Sequence, residues 1–245
     1  MTPPGAAPRI GMPVQMDPND EKQYLSRNYS DAIAAAGGLP CLIPLLGDPE
    51  SVRPLLDTLD GILLTGSNSD LDPSLYGAPR LDACGPAQPL RDRMDYVLLE
   101  NAMRRRVPVL AICYGIQSLN VFLGGSLIQD LPSVIGSPIR HSDPDSKGIF
   151  SHAVLISSGS VLEPLAGGLD AMVNSTHHQA VDRLGRGLEI IAHAPDRVVE
   201  AVSGADPRHW ILGVQWHPEK SFGFDAFSRN VFMSFLARCR AGTGD

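Results

Sequence analysis

The stretch Val107-Pro-Val-Leu-Ala-Ile-Cys113-Tyr-Gly115-Ile-Gln117-Ser-Leu-Asn120 constrains the fold more than any other part of the chain. Residues 107–112 form a short, nearly continuous apolar run, the pattern of a strand buried on both faces of a parallel sheet. Directly behind it, Ile116, Leu119, Asn120 and Leu123 recur at helical spacing. Between strand and helix stands Cys113, with small Ala111 two residues before it and Gly115 two residues after. That spacing predicts a nucleophile elbow, a strand-to-helix turn so tight that larger neighbours would clash. A helix starting there aims its unpaired N–H groups at the sulfur and favours the thiolate. Taken alone, the same residues also fit a buried structural cysteine at a strand end.

The rest of the chain supplies the alternation that such an elbow needs. Arg9 to Val14 is a first strand, Tyr24 to Ala36 a helix closed by Gly37-Gly38, and Leu39 to Leu46 a second strand. Ser51 to Leu59 reads as a helix, Asp60 to Thr65 as a third strand, and Arg91 to Arg106 as the helix that delivers the chain to Cys113. The expectation is a doubly wound α/β fold with a mostly parallel central sheet flanked by helices. Beyond Gly125, strands dominate: 126–131, 149–156, 172–174, 188–193, 198–202 and 210–216, before a last helix over 224–237. Residues 66–90 form a long connection, a length that usually serves function. Residues 1–8, rich in proline, are expected to be a loose tail, with 9–245 as one domain.

Charge and cysteine usage then narrow the function classes. With 20 basic and 27 acidic residues the net charge is −7, which argues against non-specific nucleic-acid binding or an anionic membrane surface. No apolar run approaches the ~20 residues of a membrane helix, and no secretory signal is visible. Cys41, Cys84, Cys113 and Cys239 are scattered, without a C-x-x-C pair. A reduced, cytoplasmic enzyme acting on a small molecule fits; a homodimer is compatible.

A cysteine nucleophile needs a base. His217 ends the apolar segment Trp210 to Trp216, and Pro218 blocks continuation of a central strand. On an extended chain residues two apart face the same way, so Glu219 can orient the imidazole. Cys113, His217 and Glu219 are thus expected as nucleophile, general base and orienting acid. Gly66 follows the third strand at the same sheet edge. Its N–H and that of Tyr114 are candidates for an oxyanion hole, although a glycine required only by the turn explains Gly66 equally well.

Four motifs in order carry a resemblance over nearly the whole chain after residue 9. They are Thr65-Gly-Ser-x-Ser-Asp-Leu-x-Pro73-x-x-Tyr76-Gly77, Cys113-x-Gly115-x-Gln117-x-x-Asn120, Val173-Asn-Ser175-x-His177-His178-Gln179 and Gly213-Val-Gln-Trp-His217-Pro-Glu219. The chain resembles the class I glutamine amidotransferase-like superfamily (flavodoxin-like in fold), and within it the γ-glutamyl-γ-aminobutyrate hydrolase-like, peptidase C26 family. The resemblance implies a Cys-His-Glu triad at Cys113, His217 and Glu219, and oxyanion donors at Gly66 and Tyr114. It implies a role for Gln117 in holding a γ-glutamyl group and puts His177 and His178 at the substrate cleft. Many relatives carry arginine where Tyr114 stands, so the backbone donor survives here but the cation does not.

No cofactor is implied. No metal is expected either, because adjacent strand residues such as His177 and His178 point to opposite faces. His141, His152, His193 and His209 read as ordinary loop or strand histidines. The expected activity is cleavage of a γ-glutamyl amide through a thioester. The alternatives are a glutaminase subunit feeding ammonia to a separate synthase, and a catalytically silent binding protein.

Overall fold

The computed structural model describes residues 6–17, 19, 21–142 and 152–242. Nine strands build the central sheet: β1 (Arg9–Pro13), β2 (Leu39–Ile43), β3 (Gly61–Leu64), β4 (Val109–Ile112), β5 (His152–Ile156), β6 (Asp170–Val173), β7 (Leu188–His193), β8 (Val199–Gly204) and β9 (Ile211–Val214). Their order across the sheet is β2-β1-β3-β4-β9-β8-β7-β5-β6. From β2 to β9 the pairings are parallel; from β9 to β6 they are antiparallel. The expected doubly wound sheet is therefore present, with a parallel half and an antiparallel wing.

Four longer helices cover the sheet: α1 (Arg27–Ala35), α2 (Pro89–Arg105), α3 (Tyr114–Phe122) and α4 (Ala226–Ala241). Because side chains alternate along a strand, the central strands feed two cores. Leu63, Leu110, Ile112, Leu212 and Val214 pack with Ile33 of α1 and Phe232 and Phe235 of α4. Ile62, Leu64, Val109, Ala111 and Ile211 pack with Met94 and Leu98 of α2 and with Ile116 and Leu119 of α3. The apolar run before Cys113 is buried on both faces for this reason. Asp225 caps α4, its carboxylate accepting from Ser228 N–H at 2.7 Å.

Several element bounds differ from those read in the sequence, each for a local reason. Ser26 caps α1 and delays its start to Arg27, while Tyr24 instead pairs in a two-stranded ribbon with Gln15. The helix expected over 51–59 is a 3-10 turn, Pro49–Val52, running into a short helix, Arg53–Leu56; Pro54 has no N–H to continue the ladder. The strand expected over 126–131 is only Leu127–Ile128. Asp130 then caps a helical turn, Leu131–Val134, which Pro132 suits in its first turn. Within the described residues the strand expected from Ile149 begins at His152; 149–151 lie outside them. Pro8 is buried, and its carbonyl accepts from Leu39 N–H at 2.8 Å; residues 1–5 of the proposed tail are outside the described residues. No described helix is long and apolar enough to cross a membrane.

Candidate active site

Cys113 sits between β4 and α3 at φ 54°, ψ −106°. A non-glycine residue there is strained, and such strain is characteristic of functional turns. The elbow depends on Gly115: a Cβ there would lie 2.4 Å from the Leu64 carbonyl oxygen and 2.8 Å from Leu64 Cβ. A glycine two residues after the cysteine is thus a steric requirement of the strand packed alongside.

His217 follows β9, the parallel neighbour of β4. It is not extended through Glu219, as the spacing argument assumed. His217 precedes a short helix, Pro218–Ser221, whose first turn contains Glu219. The pairing nevertheless forms, with His217 Nδ1 donating to Glu219 Oε1 at 2.7 Å. Burial alone would lower the imidazole pKa, but the charges of Glu219 and Cys113, with hydrogen bonds to both, raise it to about 9. A Cβ built on Gly66 would come within 3.1 Å of His217 Cε1 and 3.6 Å of Cys113 Cβ, so the imidazole and the cysteine converge on this glycine.

Asn174, just past β6, fixes the histidine backbone. Its Nδ2 donates to His217 O at 2.8 Å, and its Oδ1 accepts from His217 N–H at 2.8 Å. Reading the sequence did not single out this residue, although it lies inside one of the four motifs. Its only local signal was an amide side chain at the end of the expected strand 172–174.

Gly66 follows β3 in the loop beside His217 and Cys113. Its N–H donates to the Tyr29 hydroxyl at 2.9 Å, so that amide is already engaged. Burial pushes the Tyr29 hydroxyl well above the usual phenol range, and the charges of Glu219 and Cys113 push the same way. Tyr29 therefore stays a neutral phenol beneath the site. The loop at Gly66 is braced by Gln15 Nε2, which donates to Gly66 O at 2.9 Å, and by Arg91 Nη2, which donates to Thr65 O at 2.6 Å. Arg91 is itself fully buried and paired with Asp95 at 2.8 Å.

Tyr114 turns its side chain inward against α2. The hydroxyl donates to Asp92 Oδ1, and the Arg91 guanidinium stands 5.0 Å from the ring centroid. Burial pushes the Asp92 carboxyl up to about 6 against the pull of the Tyr114 hydrogen bond, so near neutrality it is mostly carboxylate and accepts from the hydroxyl.

A cleft opens at the sulfur, lined by Ser67 to Asp70, Cys113, Tyr114, Gln117 and Thr176 to Gln179. Gln117 reaches it from the first turn of α3, and its Nε2 donates to Gln179 O at 3.1 Å and to Gln215 Oε1 at 3.3 Å. His177 and His178 point apart, although they lie in the connection between Val173 and Ala180 rather than on a strand. His178 bonds Asp70 at 2.9 Å and Asp130 at 3.2 Å on the cleft side. The Asp70 hydrogen bond outweighs burial and, with the Asp130 contact, raises the His178 pKa to about 9. His177 turns its Nε2 inward toward Glu200 at 3.6 Å. His141 and His152, which no spacing in the chain distinguishes, face the same carboxylate.

A cysteine delivered from a parallel strand into a helix N-terminus, beside a histidine from the adjoining strand, defines the class I glutamine amidotransferase-like fold. A solved Thermoplasma acidophilum protein, provisionally named as a component of GMP synthase, shares that fold over 96% of this chain and 95% of its own, at a TM-score of 0.65 and 16% identity. The chain belongs to the peptidase C26 family, whose model matches residues 10–219, and is a hydrolase of that family. Gamma-glutamyl-gamma-aminobutyrate hydrolase PuuD of Escherichia coli K12 is 37% identical over 224 residues, covering 89% of this chain and 87% of its own. Protein RP404 of Rickettsia prowazekii, whose name describes it provisionally as glutamine amidotransferase-like, is 35% identical over 233 residues, covering 80% and 82%.

Proposed function

We propose that the chain is a cysteine amidohydrolase that cleaves the γ-amide bond of a γ-glutamyl amine and releases glutamate. The observation that carries this reading is the convergence of strained Cys113, which lines the cleft, with the buried His217–Glu219 pair. Cys113 attacks the γ-carbonyl carbon as thiolate. The C–N bond then breaks, and the leaving amine takes its proton from His217. Water, losing a proton to the now neutral imidazole, hydrolyses the γ-glutamyl thioester and returns the thiol.

Tyr114 N–H, unpaired within the first turn of α3, is one oxyanion donor. With the Gly66 amide held by Tyr29, Ser67 on the cleft wall supplies the second from the same loop. Gln117 and the Asp70–His178 pair hold the glutamyl group. That pair offers a carboxylate and an imidazolium, the opposite charges that an α-ammonium and α-carboxylate need.

The test is glutamate release by the purified protein from γ-glutamyl-γ-aminobutyrate, other γ-glutamyl amines and free glutamine. Turnover of a γ-glutamyl amine well above glutamine, lost in Cys113→Ala, is expected. Cleavage of glutamine alone would shift the reading to a glutaminase, and an unchanged rate in Cys113→Ala would end the mechanism.

A further inference from the structure

The antiparallel wing holds a second histidine–carboxylate cluster, for which the reaction has no use. Glu200 on β8 is completely buried, and three imidazoles surround it: His141, His152 at the start of β5, and His177, each no more than 6% exposed. His141 Nδ1, His152 Nε2 and His177 Nε2 stand 3.2, 3.5 and 3.6 Å from Glu200 Oε1. Close as they are, among the described residues none of these inward nitrogens makes a hydrogen bond, and neither does either Glu200 oxygen. A buried carboxylate left this way is costly.

The outward nitrogens explain the mismatch. His141 Nε2 bonds Asp196 Oδ2 at 2.8 Å, His177 Nδ1 bonds Gln179 O at 2.9 Å, and His152 Nδ1 bonds Ala153 O at 3.1 Å. Each outer partner is a pure acceptor, so each outer nitrogen carries the hydrogen. In the neutral imidazole this leaves a lone pair on all three inward nitrogens, aimed at a carboxylate. Three lone pairs and an anion repel one another; a proton on one imidazole would relieve a single contact, whereas a metal cation between them would satisfy all four. Metal-bound histidines show this arrangement, with the far N–H held by a carbonyl or carboxylate.

The dimensions agree. Four ligands about 2.0–2.2 Å from one ion in a tetrahedron stand about 3.3–3.6 Å apart, and the four inward atoms here all lie within 4.8 Å of one another. Three imidazoles with one carboxylate suit a zinc-class ion, whereas calcium and magnesium prefer all-oxygen shells. Ile139, His141 and His177 line a cleft of their own, which gives an ion a way in.

We propose that His141, His152, His177 and Glu200 bind one zinc-class divalent ion in a closed, structural site that braces the wall of the catalytic cleft. The bracing follows from connectivity. His177 is next to His178 on the cleft and three residues from Asn174, which holds the His217 backbone. With four protein ligands the ion has no open position for substrate or water.

The experiment uses the full-length chain without a histidine tag, in a Cys113→Ser background so that the catalytic thiolate cannot bind metal. The protein is stripped with chelator and titrated with Zn2+ against a competing indicator, and with Co2+ followed by visible absorption. One equivalent of tight Zn2+, a tetrahedral cobalt spectrum and a melting temperature raised by metal are expected. Glu200→Gln should weaken binding more than about 100-fold. The milder Asp196→Asn, which leaves every ligand in place, should weaken it about 10–100-fold. Less than a tenth of an equivalent bound by the folded, stripped protein would overturn the site. Stoichiometric binding that both variants leave unchanged would overturn it equally, because the ion would then lie elsewhere.

Discussion

The parallel half and the antiparallel wing each bury histidine against glutamate, yet the two clusters are built in opposite ways. In the parallel half, His217 and Glu219 are two residues apart, and Nδ1 meets the carboxylate in a short, aligned hydrogen bond. In the wing, the groups come from four separate segments, and their inward atoms approach without bonding. The first cluster is complete as protein and gains its work from a substrate. The second is incomplete as protein. Proximity of histidine to carboxylate therefore does not define a role; which nitrogen already carries a hydrogen bond does.

The largest effect that would break this contrast is chemical. Cys113→Ala should lower glutamate release by at least about 10⁴-fold while the far-ultraviolet circular dichroism stays that of the wild type. Next comes Glu219→Gln, expected to reduce kcat by about 10²–10⁴-fold. It also sharpens the comparison through pH. With His217 raised to about 9, the wild-type kcat/KM should fall as pH rises through that value and the proton for the leaving amine is lost. Removing the Glu219 charge should move that alkaline limb to lower pH; an unmoved limb would mean that the carboxylate does not set the imidazole.

Asn174→Ala should cost about 2–3 kcal/mol in chemical denaturation, since it strips partners from buried backbone groups of His217. It should depress kcat with little change in KM. The smallest effect is on stability against pH. His217 binds its proton more tightly folded, at about 9, than in the unfolded chain, at about 6.5. Its contribution is therefore whole below about pH 6.5 and disappears as pH rises through about 9. The melting-temperature difference between wild type and His217→Gln should shrink over that window and be flat below it.

What the sequence disclosed follows the same division. The elbow was legible because its constraints are local: a buried run, a small residue and Gly115, which a strand carbonyl 2.4 Å from its would-be Cβ enforces. His217 and Glu219 were legible through proximity in the chain, even though a helical turn rather than an extended segment brings them together. Gly66 was marked as an amide donor because its place after β3 is visible, while the Tyr29 hydroxyl that occupies that amide lies 37 residues away. Asn174 and the Glu200 cluster were hidden for the same reason. Their partners come from segments far apart in the chain, Asn174 after β6 against His217 after β9, and Glu200 on β8 against His141, His152 and His177, and no spacing along the chain encodes that. The start of α1 shifted because Ser26 satisfies a first-turn N–H, and the expected strand 126–131 ended early because Asp130 caps a helical turn there.

The hold of Asn174 on His217 makes the proposed base answerable to a strand at the far edge of the sheet. β6 is paired on one side only, and outer strands of this kind open before the centre of a sheet does. Loosening of that margin withdraws both anchors of the histidine while Cys113, at the end of a central strand, stays where it is. Turnover is then a thermometer of the edge rather than of the whole molecule: on slow warming, catalysis should fail some degrees before the circular dichroism changes, and should return on cooling.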